Sequence, residues 1–308
     1  MAQPLVRMLP TALVATLTLA SCVPPSGSVM PQPAPPPPTA AAQPLPPPPP
    51  APPVEPAPGI LIDATSVEQG ALLRGVLSPA TASLALDGTA VPVAPDGSFI
   101  LAFDRDAAPD ARLVATNVSG MAEVPLSVTP GGWRIEHINA PMRGSARSDE
   151  DFRVRRSAEL AQINAARAMR VDSDGWRQSF IWPVRGRISG LFGAQRIYRG
   201  TPGGYHSGVD VAAPTGTPFV APADGVVVLA AETPFTLEGY LLIVDHGMGL
   251  SSAFLHNSRL DVRVGDVVRQ GQQLGLIGAT GRATGPHMHW GMRWRSARID
   301  PRKIAPPM

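Results

Sequence analysis

The amino-acid sequence predicts a mainly β fold that one long helix interrupts. Short apolar runs recur at roughly ten-residue spacing between positions 59 and 135, with turn signals such as Asp87-Gly88 between them. Residues 148–170 contain neither proline nor glycine, which favours a helix. From Phe180 onward the chain is rich in glycine, valine and leucine and has no convincing helical segment. A length of 308 residues favours two folded units with linkers.

Residues 1–21 have the features of a secretory signal peptide. Arg7 is the only charge before a short apolar run that cannot span a bilayer. The run leads into Leu19-Ala20-Ser21-Cys22, which resembles a bacterial lipobox, where the cysteine is acylated and becomes the first residue of the mature protein. Cys22 is the only cysteine, so an intramolecular disulfide is excluded. We therefore expect a lipid anchor on Cys22; the alternative is an ordinary signal peptide with an incidental cysteine.

A proline-rich tether is predicted for residues 22–58, beginning at the lipidated cysteine. It includes runs of consecutive prolines at 35–38 and 46–50. Proline lacks an amide donor and fixes φ, so the segment should adopt extended polyproline II. At about 3.1 Å per residue, the tether could carry a domain roughly 100 Å from a membrane. Val23 stands where an aspartate commonly retains enteric lipoproteins at the inner membrane, which favours the periplasmic face of the outer membrane.

Residues 59–135 are predicted to form a small immunoglobulin-like β-sandwich. A series of short apolar runs with turns between them is typical of such a domain. The candidate strands are residues 60–62, 71–73, 83–86, 98–103, 113–116 and 124–128. The segment carries no recognisable chemistry, so we expect a spacer or a module that binds the cell wall or envelope regulators.

Residues 136–179 are predicted to form a helical linker between the sandwich and the C-terminal domain. Ser148 and Asp151 have the spacing of a capping box at the start of the helix. Phe152, Leu160 and Ile163 are the candidates for its packing stripe.

Residues 180–308 are predicted to form an antiparallel β domain. Three apolar segments, residues 225–229, 241–244 and 274–277, are strand candidates. A hairpin turn is expected at Asp245-His246-Gly247-Met248-Gly249.

Five of the six histidines lie in this last domain, and four of them form a pattern. His206 and Asp210 are four residues apart in a segment whose glycine favours an extended chain, and His287 and His289 are two apart. Even spacing on a strand puts both side chains on one face. His256 stands alone between the two motifs. Imidazole and carboxylate are good zinc ligands, and a catalytic zinc uses three protein ligands and one water; the alternative is a set of unrelated surface and core histidines.

The sequence around these histidines resembles the lysostaphin/LytM family of zinc peptidases. The resemblance covers residues 180 to about 300. It rests on Trp182-Pro183-Val184-Arg185-Gly186-Arg187-Ile188-Ser189-Gly190-Leu191-Phe192-Gly193, His206-Ser207-Gly208-Val209-Asp210, Ala221-Pro222-Ala223-Asp224-Gly225, Asp245-His246-Gly247, Leu255-His256, Gly278-Ala279-Thr280-Gly281 and Thr284-Gly285-Pro286-His287-Met288-His289.

The resemblance implies an antiparallel β metallopeptidase domain that holds one zinc ion per chain. His206, Asp210 and His289 would be its ligands, and His256 and His287 would be catalytic histidines outside the coordination sphere. Zinc would activate a water molecule for attack on a peptide bond of peptidoglycan. His246 matches a turn histidine of the family, for which a structural role is expected.

The bond expected to be cut is the cross-link between D-alanine and meso-diaminopimelate. A lipobox followed by a long proline tether favours a Gram-negative envelope protein, and walls there are usually cross-linked directly. The chain would then be a peptidoglycan DD-endopeptidase bound to the membrane by its lipid anchor. The alternative is a non-catalytic relative that activates a cell-wall amidase.

Other classes of protein fit the sequence poorly. A net charge of +2 gives no general case for nucleic-acid binding. The glycine- and valine-containing segment near residue 265 also resembles lipoyl and biotinyl carrier domains. These domains need an acceptor lysine in a central hairpin, and the only lysine of this chain is Lys303, near the C-terminus, which excludes them. A phosphohistidine carrier of the sugar phosphotransferase type would need cytosolic phosphate donors, which the signal peptide contradicts.

Overall fold

A computed structural model of the chain describes residues 58–79, 81–140 and 150–308. The predicted signal peptide, the lipobox with Cys22, almost all of the tether and the proposed cap residue Ser148 lie outside the described residues. The described residues all belong to one compact unit. Within the described ranges, none of the helices combines the length and the apolar character that crossing a bilayer requires.

The N-terminal part of the described chain forms two sheets. Its strands are β1 (Ile60–Ile62), β2 (Ser66–Glu68), β3 (Leu72–Leu77), β4 (Ser83–Leu86), β5 (Thr89–Ala90), β6 (Ser98–Ala102), β7 (Asp110–Asn117) and β8 (Gly120–Thr129). One sheet has the order β1-β3-β6 and the other β2-β8-β7-β4-β5. Every predicted strand is present. The two additional strands, β2 and β5, are three and two residues long and too polar for an apolar-run criterion to find. Whether this segment is immunoglobulin-like stays a prediction.

The C-terminal part is a larger set of strands. These are β9 (Ile135–Ile138), β10 (Arg187–Gly190), β11 (Gln195–Tyr198), β12 (Thr201–Pro202), β13 (Val209–Ala212), β14 (Pro218–Val220), β15 (Gly225–Ala230), β16 (Tyr240–Asp245), β17 (Leu250–Asn257), β18 (Arg259–Leu260), β19 (Val267–Val268), β20 (Gln273–Leu276), β21 (His287–Trp294) and β22 (Ala297–Ile299). The main sheet has the order β10-β13-β21-β17-β16-β15-β19, with β22 paired to β21. Every pairing in it is antiparallel. The mainly β prediction is confirmed.

One α-helix, α1 (Glu150–Ala168), lies between the two parts. It begins with acidic residues and carries Arg167 in its last turn, which suits the helix dipole. Ile163 is buried as predicted, but Leu160 is 40% exposed, so the predicted packing stripe is wrong there. The buried face includes Glu159 and Ala166 instead. Glu159 is buried because its carboxylate accepts hydrogen bonds from the Thr236 amide and hydroxyl, both at 2.6 Å, a contact that apolar periodicity cannot reveal.

A continuous apolar core connects the two parts. Buried side chains of the N-terminal sheets, such as Phe99 and Leu113, belong to the same cluster as Val209 and Trp290 of the main sheet. Within the C-terminal part, β9 pairs in parallel with β11. The core fixes β13 and β21 in the middle of the main sheet, where both lie next to other strands on each side.

The face of the main sheet opposite this core carries the predicted site histidines beside a second apolar cluster, in which Leu241 and Ile243 belong with Ile163 of α1. Met288, Trp290 and Met292 of β21 are fully buried. Since successive side chains of a strand point to opposite faces, His287 and His289 project from the other face. The register pairs Asp210 with His289, and His289 with Leu255 of β17. Three adjacent strands therefore bring the predicted site residues together.

Candidate metal centre

Three predicted ligands converge at one point. His206 Nε2 lies 3.0 Å from Asp210 Oδ1 and 3.0 Å from His289 Nδ1. The third side of the triangle, His289 Nδ1 to Asp210 Oδ1, is 2.9 Å. These are the only residues of the described chain that form a cluster of His, Cys, Asp or Glu side chains able to hold a metal ion.

His206 reaches this point from a loop and not along a shared strand. β13 begins at Val209, so His206 precedes it. The His206 amide donates to the Ala194 carbonyl at 2.8 Å, and the Gly193 amide donates to the His206 carbonyl at 2.8 Å. These bonds to the segment before β11 fix the loop and direct the imidazole toward Asp210. The expectation of a common strand face holds for His287 and His289 but does not describe His206.

The hydrogen bonds fix the tautomer of His206. Its Nδ1 lies 2.9 Å from the Leu191 carbonyl oxygen, which can only accept, so Nδ1 carries the proton. In the neutral ring, Nε2 then presents a lone pair to Asp210 and His289. A backbone carbonyl that orients an imidazole in this way is a common supporting contact of metal ligands. Two imidazoles and a carboxylate that direct lone pairs at one point form a donor set that fits zinc.

Two glycines make room for these ligands. A Cβ atom on Gly208 would lie 2.6 Å from His289 Nε2 and 2.5 Å from the Trp290 carbonyl oxygen. A Cβ atom on Gly190 would collide with the Asp210 carboxylate. From the sequence alone, Gly208 argues only against a helix and Gly190 has no assignable role, because the close approach depends on the register between strands.

The charge state of the cluster agrees with a cation site. Burial opposes ionisation of Asp210, but hydrogen bonds and positive charge from His206 and His289 outweigh it and hold the pKa of Asp210 well below its usual range. Burial also opposes protonation of His206, yet its contact with Asp210 leaves the pKa of His206 raised. For His289, burial prevails and its pKa is lowered. The cluster therefore contains an ionised carboxylate within a largely buried pair of imidazoles.

His256 and His287 form a pair beside the three ligands. Their ring centroids are 4.9 Å apart, and the His256 ring is 6.4 Å from that of His289. His287 Nε2 lies 3.7 Å from Asp210 Oδ1. Both rings donate from Nδ1 to backbone carbonyls at 2.8 Å, His256 to Thr280 and His287 to Gly285. In the neutral form of either ring, the lone pair would therefore lie on Nε2.

The backbone of His256 is held in an unusual conformation. Its φ is 65°, a region that non-glycine residues seldom adopt and that is frequent at functional sites. The His256 amide donates to the Glu238 carbonyl at 2.8 Å. The Glu238 carboxylate in turn accepts two hydrogen bonds from Arg156 of α1, at 2.6 and 2.8 Å. Burial lowers the pKa of His256, so its ring is neutral near pH 7.

His246 lies apart from the cluster and is fully buried. Its Nδ1 donates to the Asp224 carbonyl at 2.7 Å, and its Nε2 accepts from the Ser252 hydroxyl at 2.9 Å. The same hydroxyl accepts from Trp290 Nε1 at 3.1 Å. These contacts satisfy a neutral ring completely, which supports the structural role expected for this histidine.

Protonation of His246 is expected to destabilise the fold in acid. Burial lowers its pKa from 6.5 to about 4. Between these values the unfolded chain binds a proton that the folded chain does not, so stability is present above pH 6.5 and is lost as the pH falls toward 4. The contribution of this group at pH 4.5 should be smaller than at pH 7.5 by about 2 kcal/mol.

The measurement is denaturant unfolding of the wild type and of His246→Asn at both pH values. The asparagine side chain does not titrate, so the stability advantage of the wild type should shrink in acid. An advantage that is the same at pH 7.5 and 4.5 would contradict the proposed titration, because groups shared by the two proteins cancel in the difference.

Comparison with known proteins agrees with this geometry. The sequence model of peptidase family M23 matches residues 204–301, which contain all five residues of the site. The chain is 37% identical over 126 residues to the peptidoglycan DD-endopeptidase ShyA of Vibrio cholerae; the match covers 40% of this chain and 28% of ShyA. It is 36% identical over 133 residues to the cell division protein DipM of Caulobacter vibrioides, covering 41% of this chain and 21% of DipM. The chain thus spans about a quarter of the length of these curated relatives.

A solved structure matches most of the chain. It belongs to a candidate M23 peptidase of Pseudomonas aeruginosa, with 30% identity and a TM-score of 0.60. The match covers 77% of this chain and 93% of the Pseudomonas protein. The likeness therefore extends beyond the segment that the family model matches.

Proposed function

The chain belongs to peptidase family M23, and we propose that it is a zinc-dependent DD-endopeptidase that opens peptide cross-links of peptidoglycan. The observation that carries the proposal is the convergence of His206, Asp210 and His289, with the pair His256 and His287 beside them. A three-residue donor set leaves a coordination position for water, as in catalytic zinc sites. The named DD-endopeptidases among the relatives support the reaction class.

His206, Asp210 and His289 would hold the metal. When bound, zinc supplies Lewis-acid polarisation of a carbonyl and lowers the pKa of water toward neutrality. The protein orients these ligands. The Leu191 carbonyl fixes the His206 ring, and Gly208 lets the His289 ring lie against the backbone.

The two uncoordinated histidines would move the proton. A neutral imidazole with a free lone pair on Nε2 can accept a proton from the attacking water, and His256 is in this state at neutral pH. The protonated ring can then donate to the amine that leaves. The other ring of the pair, with Nδ1 anchored to a backbone carbonyl, can donate from Nε2 to oxygen when protonated and so stabilise developing negative charge.

The substrate is proposed to be the D-alanyl–meso-diaminopimelate cross-link. The argument combines the names of the relatives with the predicted lipobox and tether, which favour a Gram-negative envelope. Such walls are usually cross-linked directly, without glycine bridges. The lipid anchor, the outer-membrane location and a possible regulator bound by the N-terminal sheets belong to the same proposal.

Digestion of purified cross-linked muropeptide dimers tests this function. With zinc present, the chain should convert dimers to monomers whose glycan and lactyl-amide bonds are intact, as read by mass spectrometry. Release of free peptide stems would point to an amidase. A zinc-loaded chain that leaves the dimers uncut would favour the regulatory alternative, which the complete set of five site residues argues against.

The lipid anchor is tested by cell fractionation. Cys22→Ala should move the protein from the membrane fraction to the soluble envelope fraction, because Cys22 is the only cysteine available for acylation. Ser21→Ala, which keeps the cysteine, is the matched control and should stay membrane-bound. Membrane association of Cys22→Ala equal to that of the wild type would refute the anchor.

A further inference from the structure

A groove extends from the candidate metal centre along the main sheet to α1. Its volume is about 260 Å³, and it is bounded by His289 and Gly291 of β21 and by the side of α1 that carries Arg167. His289, Gly291 and Arg293 occupy alternate positions of β21, so they share one face of the sheet. Because Gly291 has no side chain, the floor of the groove is open between the metal ligand and Arg293.

Three arginines line this groove with guanidinium groups that form no ion pair, although the Asp104 carboxylate accepts a hydrogen bond from the Arg298 backbone amide at 2.8 Å. They are Arg167 of α1, Arg293 of β21 and Arg298 of β22, and the register places the last two directly opposite each other. Among the described residues, none of the three forms an ion pair within 4.0 Å. The fourth arginine of the groove, Arg156, differs because Glu159 and Glu238 neutralise it.

The local electrostatics indicate an excess of positive charge. Arg293 donates from Nη2 to the Ser296 carbonyl at 3.1 Å, but its Nε is buried and has no hydrogen-bond partner among the described residues. Arg167 is exposed as a whole residue, but protein surrounds its guanidinium group. This burial is the main cause, and repulsion from Arg293 and Arg298 a smaller one, that lowers the pKa of Arg167 to about 10. An anion bound between these groups would relieve the repulsion and satisfy the free donor.

The chemistry of the proposed substrate supplies such an anion. Within a stem, diaminopimelate uses one amino group and one carboxyl group for the main chain. A cross-link uses its second amino group, so its second carboxylate stays free, whereas a glycine bridge has no side-chain charge. Arg293 lies four positions along the strand from His289, which corresponds to about 13 Å. The diaminopimelate that precedes the D-alanine of the cut bond carries its free carboxylate at the far end of a long side chain, which can bridge a span of this order.

We infer that Arg167, Arg293 and Arg298 form a carboxylate-binding subsite for the peptide stem. This inference rests on the proposed function, since it identifies the anion as part of the peptidoglycan substrate. The subsite would favour stems that contain diaminopimelate over neutral glycine bridges. Arginine suits the task because its planar donors match a carboxylate in pairs.

Binding of stem peptides tests the subsite. The probes are a diaminopimelate-containing stem peptide and the same peptide with its side-chain carboxylate amidated, titrated into the zinc-loaded full-length chain. The wild type should bind the free carboxylate about tenfold more tightly than the amide. Arg293→Gln and Arg167→Gln should each lose most of this preference, and Arg263→Gln, an exposed arginine outside the groove, should retain it.

The controls separate the subsite from the metal and from the proposed activity. Zinc content and melting temperature verify that the variants are folded. If Arg293→Gln is unstable, Arg167→Gln provides the test instead, because it changes an exposed helix position. A preference that is absent in the wild type, or unchanged in the folded variants, overturns the inference, since zinc alone would then account for any anion binding. Because binding needs no turnover, a chain that prefers the carboxylate but leaves cross-linked dimers uncut retains the subsite and refutes the DD-endopeptidase proposal.

Discussion

Replacing His206 or His289 with alanine is expected to remove bound zinc and abolish hydrolysis. The site has three protein donors, all within 3.0 Å of one another, and the described residues offer no fourth donor in that cluster. Loss of one donor should weaken zinc binding by more than about a hundredfold. The measurement is zinc content after dialysis, with hydrolysis of cross-linked dimers assayed on the same sample.

The matched control is His137→Ala. His137 lies on β9, is exposed and takes no part in the cluster, so this variant should keep one zinc ion per chain and full activity. Zinc content in His289→Ala equal to that of the wild type would contradict the ligand assignment. A variant that loses zinc but hydrolyses dimers at the normal rate would contradict the catalytic role of the metal.

Replacing His256 is expected to abolish activity as well, but with zinc retained. The His256 ring is 6.4 Å from that of His289 and lies outside the three-residue cluster. Loss of a positioned proton acceptor typically lowers kcat by about a hundredfold to ten-thousandfold. Measuring kcat and zinc content together on His256→Ala distinguishes proton transfer from metal binding.

The left-handed backbone at His256 calls for a second variant. Alanine is strained at a φ of 65°, whereas asparagine tolerates this region better. His256→Asn should therefore be more stable than His256→Ala and equally inactive, because neither side chain contains an imidazole. Recovery of activity in His256→Asn would assign the residue a backbone role, and loss of zinc from either variant would show that His256 is a ligand.

The strands and the site residues are predictable because their signals are local. Apolar runs bounded by turn residues identify β1, β3 and β16, since burial in a sheet requires apolar side chains in short extended segments. The spacing of His287 and His289 indicates one strand face without any tertiary information. The family resemblance selects the same five residues that the structure brings together.

The remaining features depend on contacts between distant segments. The role of Gly208 follows from the register of β13 and β21, and the burial of Glu159 follows from its hydrogen bonds to Thr236. Apolar periodicity predicts that Leu160 is buried on the packed face of α1, but Leu160 is exposed and Glu159 is buried instead. The unpaired arginines of the groove come from α1, β21 and β22, and the sequence offers no pattern that joins them.

Anomalous X-ray scattering from a crystal of the zinc-loaded chain tests the central claim most directly. Data collected on both sides of the zinc absorption edge identify the element and locate it. We expect one zinc peak per chain, bounded by His206 Nε2, Asp210 Oδ1 and His289 Nδ1, with His256 and His287 beyond coordinating distance. A peak coordinated by His256 or His287, or no zinc peak at the three-residue cluster, would contradict it.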